Sequence, residues 1–433
     1  MKPDQHPVYS HSSASESIDR PVAKGKFIFV GAEKYYVRGV TYGPFEPDEN
    51  NCEYHNPEVV DRDFSLIAAH HINTIRTYTV PPPWLLDIAQ KYGLRVMIGL
   101  PWEQHVTFLD DDTLVDSIVR RIREGVRIFA GHPGVFCYAI GNEIPAPIVR
   151  WHGRVKIERF LERLYRAAKQ EDPEALVTYV NYPTTEYLKL DFLDFACFNV
   201  YLEKKDRLEA YIARLHNVAG EVPLVLAEIG LDSLRNGEEL QAETLEWQLR
   251  TTFAQGCTGA FVFAWTDEWF RGGKEILDWN FGLTGRDREP KIALTTVSKT
   301  FTDLPFPNDT PWPRISVVLA CYNGAATIGQ SLEHLGKLNY PDYEVIVVDD
   351  GSTDGTGAIA KQFDVRLIRL EQEGLSVARN TGLKAATGDI VAYIDDDAYP
   401  DPDWLTYLAH SFLSTDFAGV GGPNLTPEDD SFK

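Results

Sequence analysis

The sequence predicts two α/β domains, a (β/α)8 barrel followed by an open sheet of mostly parallel strands. Three observations predict this arrangement. Short apolar runs alternate eight times with amphipathic stretches, a run of prolines follows them, and a second series of apolar runs comes after the prolines. Eight strand–helix alternations over about 250 residues are typical of a closed barrel. The chain has 433 residues, enough for a barrel and a smaller second domain.

The two predicted domains are separated by residues 301–313, which contain four prolines. Because prolines so close together continue neither a helix nor an inner strand, this segment predicts a stiff linker. The barrel is therefore expected at residues 25–300 and the second domain at residues 314–433. Residues 1–24 are polar and rich in serine and histidine, which predicts a disordered segment, and they lack the apolar stretch of a signal peptide.

The barrel is expected to begin with a hairpin over Lys26–Val37. Its eight predicted strands are Val37–Tyr42, Asn73–Thr79, Arg95–Leu100, Val135–Gly141, Leu176–Asn181, Phe195–Tyr201, Leu224–Ala227 and Ala260–Trp265. Amphipathic helices are predicted between most of them, at Ile118–Phe129, Lys156–Gln170 and Leu240–Ala254 for example. Polar residues at the carboxyl ends of barrel strands are the candidates for chemistry.

The second domain is predicted to have strands at Arg314–Ala320, Glu344–Asp349 and Ile390–Ile394, with helices between them. A ligand of such an open parallel sheet is expected at the carboxyl ends of its strands. Short apolar runs also occur in buried helices, so periodicity alone leaves that alternative open.

The charge balance excludes two classes of partner. The chain has 42 basic and 64 acidic residues, a formal net charge of -22. Nucleic-acid binding needs clustered Lys and Arg, so we expect neither a nucleic-acid partner nor a polybasic membrane anchor. The sequence contains no run of about 18 apolar residues, so it predicts no membrane span. The five cysteines are widely spaced, without the pairs typical of zinc sites, and predict the buried thiols of a cytoplasmic protein.

Two glutamates follow predicted strands of the barrel, Glu143 after the fourth and Glu228 after the seventh. A carboxylate directly after an apolar strand is costly to desolvate unless it faces an open mouth. Paired carboxylates on either side of a sugar bond are the groups that hydrolyse glycosides, one as proton donor and one as nucleophile. Each glutamate taken alone is equally compatible with a surface acid or a helix N-cap.

The motifs around these glutamates extend the pattern. They are Gly39-Val40-Thr41-Tyr42 on the first strand, Ile75-Arg76-Thr77-Tyr78 on the second, Asn142-Glu143 after the fourth, Asn199-Val200-Tyr201 on the sixth, Glu228 on the seventh and Trp265 on the eighth. In this order they resemble the clan A glycoside hydrolases, TIM barrel enzymes that carry their catalytic acids on strands four and seven. The second, fifth and seventeenth hydrolase families share parts of the pattern, and the choice among them stays open.

The resemblance implies a retaining β-glycosidase or transglycosidase with Glu143 as acid/base and Glu228 as nucleophile. Such a mechanism needs carboxyl groups about 5–5.5 Å apart. Arg76 and Tyr201 would keep Glu228 ionised, since a nearby cation and a hydrogen bond both favour the charged form. A barrel salt bridge for Arg76 and a packed rim aromatic for Tyr201 are the simpler alternatives.

Further sugar contacts follow from the same resemblance. Asn142 would contact the sugar 2-hydroxyl, a turn being its simpler alternative, and Trp265 would form the aromatic platform under the sugar ring. Trp102, Glu103 and His105, after the third strand, are weaker candidates for sugar contacts. Whether water or a second sugar accepts the glycosyl group stays open. No HExxH motif or histidine cluster occurs in the sequence, so no cofactor is expected in the barrel.

Four polar segments fall at strand ends of the second domain. They are Ala320-Cys321-Tyr322-Asn323-Gly324, Asp349-Asp350-Gly351-Ser352-Thr353-Asp354, Ala378-Arg379-Asn380-Thr381-Gly382 and Asp395-Asp396-Asp397. Adjacent carboxylates after an apolar strand repel one another, which predicts a divalent cation bound together with a diphosphate. Asp349 and Asp350 are placed to accept hydrogen bonds from a base or ribose.

In combination, these segments resemble the family 2 glycosyltransferases, inverting enzymes with the Rossmann-like GT-A fold. The resemblance implies a nucleotide-sugar donor, a UDP-sugar. Tyr322, Asp349 and Asp350 would bind its uridine and ribose, and Arg379 would lie near its diphosphate.

The acidic triplet of this family carries the metal. By the resemblance, Asp395 and Asp397 would hold Mn²⁺ or Mg²⁺, with Asp396 toward the ribose or donor sugar. The family continues beyond this point with the acceptor site, the catalytic carboxylate and a QxxRW-like segment, whereas this chain stops at Lys433. We therefore expect a C-terminally truncated donor half, part of a longer protein, that cannot complete glycosyl transfer.

Together the two resemblances predict a bifunctional carbohydrate enzyme, a retaining glycosidase barrel fused to a glycosyltransferase of polysaccharide synthesis. Its partners would be an oligo- or polysaccharide and a UDP-sugar. The protein would lie in the cytoplasm and touch the membrane only through the missing C-terminal part. The alternative is a non-catalytic barrel that binds glycan and holds the acceptor for the transferase, and a purely structural barrel is a third possibility.

Overall fold

A computed structural model describes residues 19–425. The chain forms two compact units, the first ending at Pro305 and the second beginning at Phe306. Residues 1–18, most of the segment expected to be disordered, lie outside the described residues. For Pro21–Lys24 that expectation is wrong, because these residues form a strand, β1.

Strand β1 belongs to a small antiparallel sheet with β2 (Phe27–Val30) and β3 (Glu33–Lys34). The pairing of β2 with β3 is the predicted hairpin. Arg20, just before β1, donates two hydrogen bonds to Asp172, at 2.6 and 2.8 Å. This charge-assisted pair holds down a segment whose polar composition alone predicts disorder.

Eight parallel strands of the first unit close a barrel, as predicted. In chain order they are β4 (Val37–Thr41), β5 (Thr74–Thr77), β6 (Arg95–Gly99), β7 (Val135–Asn142), β8 (Leu176–Asn181), β9 (Ala196–Asn199), β10 (Leu224–Ile229) and β11 (Gly259–Val262). Each strand pairs with the next along the chain, and β11 pairs with β4 to complete the circle.

Helices surround this barrel. They are α1 (Pro57–Ala69), α2 (Pro83–Lys91), α3 (Asp112–Arg127), α4 (Ala146–His152), α5 (Arg154–Glu171), α6 (Lys205–Ala219), α7 (Ser233–Asn236), α8 (Glu238–Ala254) and α9 (Ile292–Thr302). Alternate residues of the strands, such as Val96 and Ile98, pack with helical residues such as Ile118 and Leu161 in one buried cluster. Within residues 19–425, no helix has the length and apolar character needed to cross a membrane.

The other face of the strands fills the barrel interior. Met97, Cys137, Cys197 and Ala227 lie in a separate buried cluster, which also contains Ile28 of β2. Because strand side chains alternate between two faces, these positions define the inward-facing set. The small antiparallel sheet therefore closes the amino-terminal end of the barrel and leaves the carboxyl-terminal end for a site.

Bulges interrupt the two strands that end near the predicted acids. On β7, Ala139 pairs with Thr178, and the next paired residue is Asn142, opposite Val180. On β10, the pairing shifts between Leu226 and Glu228. Strict alternation from the inward-facing Ala227 would turn residue 228 outward, but the bulge brings it back to the barrel interior.

A long loop follows β11 and carries a short hairpin, β12 (Phe270–Arg271) and β13 (Lys274–Glu275). Two buried or half-buried ion pairs hold the loop. Lys291 lies 2.7 Å from Asp267, and Arg288 lies 2.6 Å from Glu268.

The second unit is an open sheet of four parallel strands in the order β16-β15-β14-β17. Its elements are β14 (Ile315–Cys321), α10 (Ile328–Leu335), β15 (Tyr343–Asp349), α11 (Thr356–Ala360), β16 (Arg366–Arg369), α12 (Leu375–Ala385), β17 (Ile390–Asp395) and α13 (Trp404–Ser414). Three of the strands are the predicted ones. Strand β16 was not predicted, because an arginine at each end leaves no apolar run to recognise.

Candidate active site

A cavity of about 730 Å³ opens at the carboxyl ends of the barrel strands. Both predicted acids line it, together with four of the predicted contact residues, Arg76, Asn142, Tyr201 and Trp102. A cavity of this size suits a ligand of a few rings, since small-molecule sites commonly measure about 300–1,000 Å³.

Glu228 is buried at the inner wall of this cavity. Its Oε1 accepts hydrogen bonds from Arg76 Nη1 at 2.9 Å and from Tyr78 OH at 2.7 Å. Its Oε2 accepts a hydrogen bond from Tyr201 OH at 2.7 Å. Three donors at the ends of two strands, Arg76 and Tyr78 at β5 and Tyr201 after β9, therefore fix the orientation of this carboxylate.

Glu143 follows β7 directly and has a backbone φ of 54°, in the left-handed region that a residue other than glycine rarely adopts. Its Oε1 accepts a hydrogen bond from Asn199 Nδ2 at 2.7 Å. Burial raises the pKa of the Glu143 carboxyl, and the charge of Glu228 raises it further. A raised pKa favours the protonated carboxyl group, which is the form that a general acid needs.

Arg76 connects the two acids. It is buried, and Nη1 donates to Asn199 Oδ1 at 3.2 Å and to the Ala227 carbonyl at 2.7 Å as well as to Glu228. Nη2 donates to Asn142 Oδ1 at 2.8 Å. Asn199 thus contacts Arg76 on one side and Glu143 on the other, so a single network of side chains links the two carboxyl groups.

Two carboxylates of the second unit accept hydrogen bonds from backbone N–H groups of the same unit. Asp349, at the end of β15, is fully buried, and its Oδ1 accepts a hydrogen bond from Ser352 N at 2.8 Å. Asp350 accepts from the backbone N–H groups of Glu373 and Gly374 at 2.7 and 2.8 Å. Only Oδ1 of Asp349 is used by the turn, and its buried Oδ2 has no hydrogen-bond partner, so the contact of Asp349 with a base or ribose stays a prediction.

Other predicted ligand groups of the second unit are accessible at the strand ends. Tyr322 is exposed, and its hydroxyl accepts a hydrogen bond from Gln372 Nε2 at 2.9 Å. Arg379 donates to Asp395 Oδ1 at 2.8 Å.

The acidic triplet is not a complete metal site by itself. Asp395 and Asp397 are exposed, whereas Asp396 is half-buried. Burial raises the pKa of Asp396, and the charges of Asp397 and Asp395 raise it further. Within residues 19–425, no group of three or more His, Cys, Asp or Glu side chains is arranged to hold a metal.

The sequence of residues 22–306 matches the family model for the TIM barrel domain of glycosyl hydrolases family 2. This match spans more than half of the chain. The chain belongs to glycosyl hydrolase family 2. Residues 316–433 match the model of glycosyl transferase family 2, so a family 2 transferase domain follows the family 2 hydrolase barrel. The match decides the hydrolase family, which the sequence motifs left open among the second, fifth and seventeenth. The chain combines two carbohydrate-active domains, which imply sugar substrates and a nucleotide-sugar donor.

Solved structures share the fold of the hydrolase barrel. β-Glucuronidase of Bifidobacterium dentium aligns with a TM-score of 0.58 and 18% identity, over 66% of this chain and 50% of that one. A family 2 β-galacturonidase of Eisenbergiella tayi aligns with a TM-score of 0.56 and 19% identity, over 66% and 54%. At these identities the likeness concerns the fold alone.

Curated relatives match the transferase domain. Over 118 residues it is 40% identical to glycosyltransferase AglE of Haloferax volcanii, which covers 25% of this chain and 39% of that protein. It is 34% identical over 118 residues to a poly-β-1,6-N-acetyl-D-glucosamine synthase of Staphylococcus epidermidis, which covers 26% and 29%. The chain thus spans well under half the length of these relatives.

The aromatic wall of the family 2 hydrolase site differs from the prediction. Trp265 is completely buried in the core around the barrel and does not line the cavity. Strand β11 ends at Val262, earlier than predicted, and the backbone N–H of Trp265 then bonds to the Thr41 carbonyl. This turn carries the indole into the core, so the platform role predicted for Trp265 is not supported.

Aromatic residues of the loop after β11 line the cavity instead. They are Phe263, Trp269, Phe270, Trp279 and Phe281. The ring of Trp269 lies 4.9 Å from that of Phe263 and 5.1 Å from that of Tyr78. Sequence reasoning missed this wall, because an irregular loop has no periodicity that shows which rings face a cavity.

The weaker candidates after β6 separate into two groups. His105 and Trp102 line the cavity, and Trp102 Nε1 donates to the Ile140 carbonyl at 2.7 Å. Glu103 instead forms an ion pair with Arg121 on α3 and is not among the residues that line the cavity.

Two polar residues of the site were not assigned a role from the sequence. Tyr78 lies two positions after Arg76, and Asn199 two positions after the inward-facing Cys197. Since strand side chains alternate, both positions continue the inward-facing set, and that period-two pattern is the signal that identifies them.

Proposed function

We propose that the barrel is a retaining β-glycosidase or transglycosidase in which Glu143 is the acid/base and Glu228 the nucleophile. The observation that carries this proposal is the cavity network in which Asn199 and Arg76 link the two carboxyl groups. The two acids have different environments, as a mechanism with two distinct roles requires.

In the first step, a carboxylate oxygen of Glu228 would attack the anomeric carbon of the bound sugar. The bond from that carbon to the leaving oxygen breaks, and Glu143 gives its proton to that oxygen. The raised pKa of Glu143 supports this assignment, because the group must carry a proton before the step begins. The product is a glycosyl ester on Glu228 and an ionised Glu143.

In the second step, Glu143 would take a proton from water or from a sugar hydroxyl, whose oxygen attacks the anomeric carbon. The ester bond breaks, and Glu228 regains its carboxylate. The three hydrogen bonds from Arg76, Tyr78 and Tyr201 hold Glu228 in place through both steps. Asn142 contributes to substrate binding, since Arg76 bonds to its carbonyl oxygen and leaves the amide donors for a sugar hydroxyl.

We infer that the transferase domain binds a UDP-sugar at the carboxyl ends of its strands. The exposed ring of Tyr322 suits stacking on a base, and Arg379 lies beside the acidic triplet, where a diphosphate would approach. Asp350 shapes this site through the backbone it holds.

Asp395 and Asp397 fit Mg²⁺ or Mn²⁺ held jointly by carboxylates and diphosphate oxygens, the usual mode of such cations. Burial raises the pKa of Asp396, and the neighbouring charges of Asp397 and Asp395 raise it further; a cation would offset that acidic charge, which supports this fit. When bound, the cation would neutralise charge on the departing diphosphate.

The two domains together suggest a protein that processes the glycan made by its own transferase. The likeness to a polysaccharide synthase supports a role in polysaccharide synthesis. Nucleotide sugars are cytoplasmic metabolites, so we propose a cytoplasmic location for both domains.

The test is the stereochemistry of aryl β-glycoside hydrolysis by the full chain, followed by proton NMR. The proposal predicts that the first product released is the β-anomer. Release of the α-anomer would replace it with an inverting mechanism. Glycan binding without turnover would favour the alternative, a barrel that only holds the acceptor, and neither binding nor turnover would leave a structural barrel.

A further inference from the structure

One arginine in the cavity lacks a protein partner. Arg271 lies on β12 and lines the cavity, while Lys274, its partner in the β12–β13 register, does not. Gly272 and Gly273 make the turn between the strands, with φ of 63° and 77°. The hairpin thus presents one of its two cations to the cavity.

The charge of Arg271 is uncompensated. Its exposed guanidinium makes no hydrogen bond or ion pair with any other residue in the described part of the chain. The other arginines of the cavity are paired. Arg76 contacts Glu228, and Arg235 contacts Asp232 and Asp278. The chain has a net charge of -22, so acidic partners for a cation are plentiful. An arginine at the cavity that pairs with none of those the structure describes is available to bind a ligand.

Electrostatic effects place Arg271 on one side of the cavity. Its charge lowers the pKa of His105 and opposes the raised pKa of Glu143. His105 and Glu143 line the cavity with Arg271, and they follow the paired neighbouring strands β6 and β7. Arg271 therefore lies on the Glu143 side, which in the proposed mechanism is the side of the leaving group and of the acceptor.

We propose that Arg271 forms an anion-recognising subsite, so that the barrel acts on glycans whose sugar on the leaving-group or acceptor side carries a carboxylate. The planar fork of an arginine matches a carboxylate with two parallel hydrogen bonds, which a hydroxyl group cannot reproduce. The assignment of Arg271 to the leaving-group side of the glycosidic bond rests on the proposed function. The presence of an anion subsite does not depend on turnover.

The first experiment compares two substrates that differ only on that side. Carboxyumbelliferyl and methylumbelliferyl β-glycosides of the same neutral sugar are hydrolysed by the full chain. We expect kcat/KM to be about fivefold higher for the carboxylated substrate, the size typical of a partly exposed ion pair. Arg271→Ala removes the ratio of kcat/KM between the two substrates, whereas Lys274→Ala, the matched control on the same hairpin, keeps it.

The second experiment needs no turnover. Binding of the same two β-glycosides to the full-length Glu228→Gln variant is measured by fluorescence anisotropy. The subsite is supported if the carboxylated ligand binds more tightly and this difference is lost in the Arg271→Ala, Glu228→Gln double variant. That result supports the subsite even if the parent chain hydrolyses neither substrate. Absence of hydrolysis would reject only the proposed function.

Several results would overturn the inference. They are equal affinity for the two ligands, no detectable binding of the carboxylated ligand, and a preference that survives Arg271→Ala or disappears equally in Lys274→Ala. The last of these would trace the preference to the general field of the hairpin rather than to one guanidinium.

Discussion

The barrel and the second unit each contain a pair of arginine and carboxylate, and the two pairs differ in their surroundings. Arg76 and Glu228 lie 2.9 Å apart with side chains only 2% and 9% exposed. Arg379 and Asp395 lie 2.8 Å apart, but their side chains are 42% and 63% exposed. The two N–O distances are nearly equal, so the pairs differ in burial. The buried pair is fixed, whereas solvent and salt can open the exposed one.

The different burial of the two pairs indicates how each site is prepared for its ligand. Breaking a buried pair costs about 3–5 kcal/mol, so Arg76 keeps Glu228 in one orientation before any substrate arrives. An exposed pair contributes about 0–1 kcal/mol, so Asp395 can exchange Arg379 for a cation and Arg379 can turn to a diphosphate. The barrel site is preorganised by the protein, whereas the transferase site is completed by its ligand.

The largest expected effect concerns the nucleophile of the preorganised site. Glu228→Gln should lower kcat for aryl β-glycosides by about 10⁴-fold or more, because the amide cannot attack the anomeric carbon. Initial rates of release of the aryl group measure this. Glu203→Gln is the matched control, since Glu203 lines the same cavity outside the network, and it should stay within about twofold of the parent. Equal losses in both variants would mean that the cavity charge matters rather than the nucleophile.

The next effect concerns the proton donor. Glu143→Gln should lower kcat/KM by about 10²–10⁴-fold for a poor leaving group such as an alkyl group, and far less for dinitrophenyl, which leaves without a proton. Similar losses with both leaving groups would contradict the role of Glu143 as acid.

The pH dependence follows from the same residue. Glu143 acts in its protonated form, and its pKa is raised, so kcat/KM should fall as pH rises through that raised pKa. Measured pH profiles should show this alkaline limb for the poor leaving group and its loss for dinitrophenyl. An alkaline limb of equal strength with both would assign it to another group.

A smaller effect distinguishes the two tryptophans of the loop after β11. Trp269→Ala should raise KM about tenfold through lost stacking on the sugar, since Trp269 lines the cavity. Trp265→Phe should leave KM within about twofold and lower the free energy of unfolding by about 1–3 kcal/mol, because Trp265 lies in the core. The reverse pattern would restore the platform role of Trp265.

The smallest effect concerns the site that its ligand completes. Chelation of Mn²⁺ with EDTA, or Asp395→Asn, should weaken UDP binding about tenfold in isothermal titration calorimetry, while hydrolysis in the barrel is unaffected by EDTA. Asp364→Asn, an exposed acid at the amino end of β16, is the control. Metal-independent UDP binding would contradict a transferase site that its ligand and metal complete.

Much of the barrel could be predicted because its pattern is local and repeated. Arg76 lies on the inward-facing set by simple alternation, and the strand ends pointed to Glu143 and Glu228. Alternation alone turns residue 228 outward, and the bulge that corrects this arises from pairing between strands that sequence periodicity does not encode. Family resemblance therefore supplied what periodicity could not.

Other features depend on tertiary contacts. Trp265 and Trp269 are equivalent by sequence pattern, and tertiary contacts such as the hydrogen bond from the Trp265 backbone N–H to the Thr41 carbonyl decide which one reaches the core. Asp349 and Asp350 are adjacent, yet the turn uses both carboxylates for its own backbone. An acidic strand end indicates a candidate ligand, and the partners brought by the fold decide whether it is available.

The most direct measurement of the central claim is covalent trapping. The full chain is incubated with a panel of 2-deoxy-2-fluoro glycosides that carry a good leaving group, digested, and sequenced by mass spectrometry. We predict one sugar adduct on the peptide with Glu228, absent from the Glu228→Gln variant. A sugar adduct on any other residue, or turnover of the aryl substrates without any adduct across the panel, would contradict the assignment of Glu228 as the nucleophile.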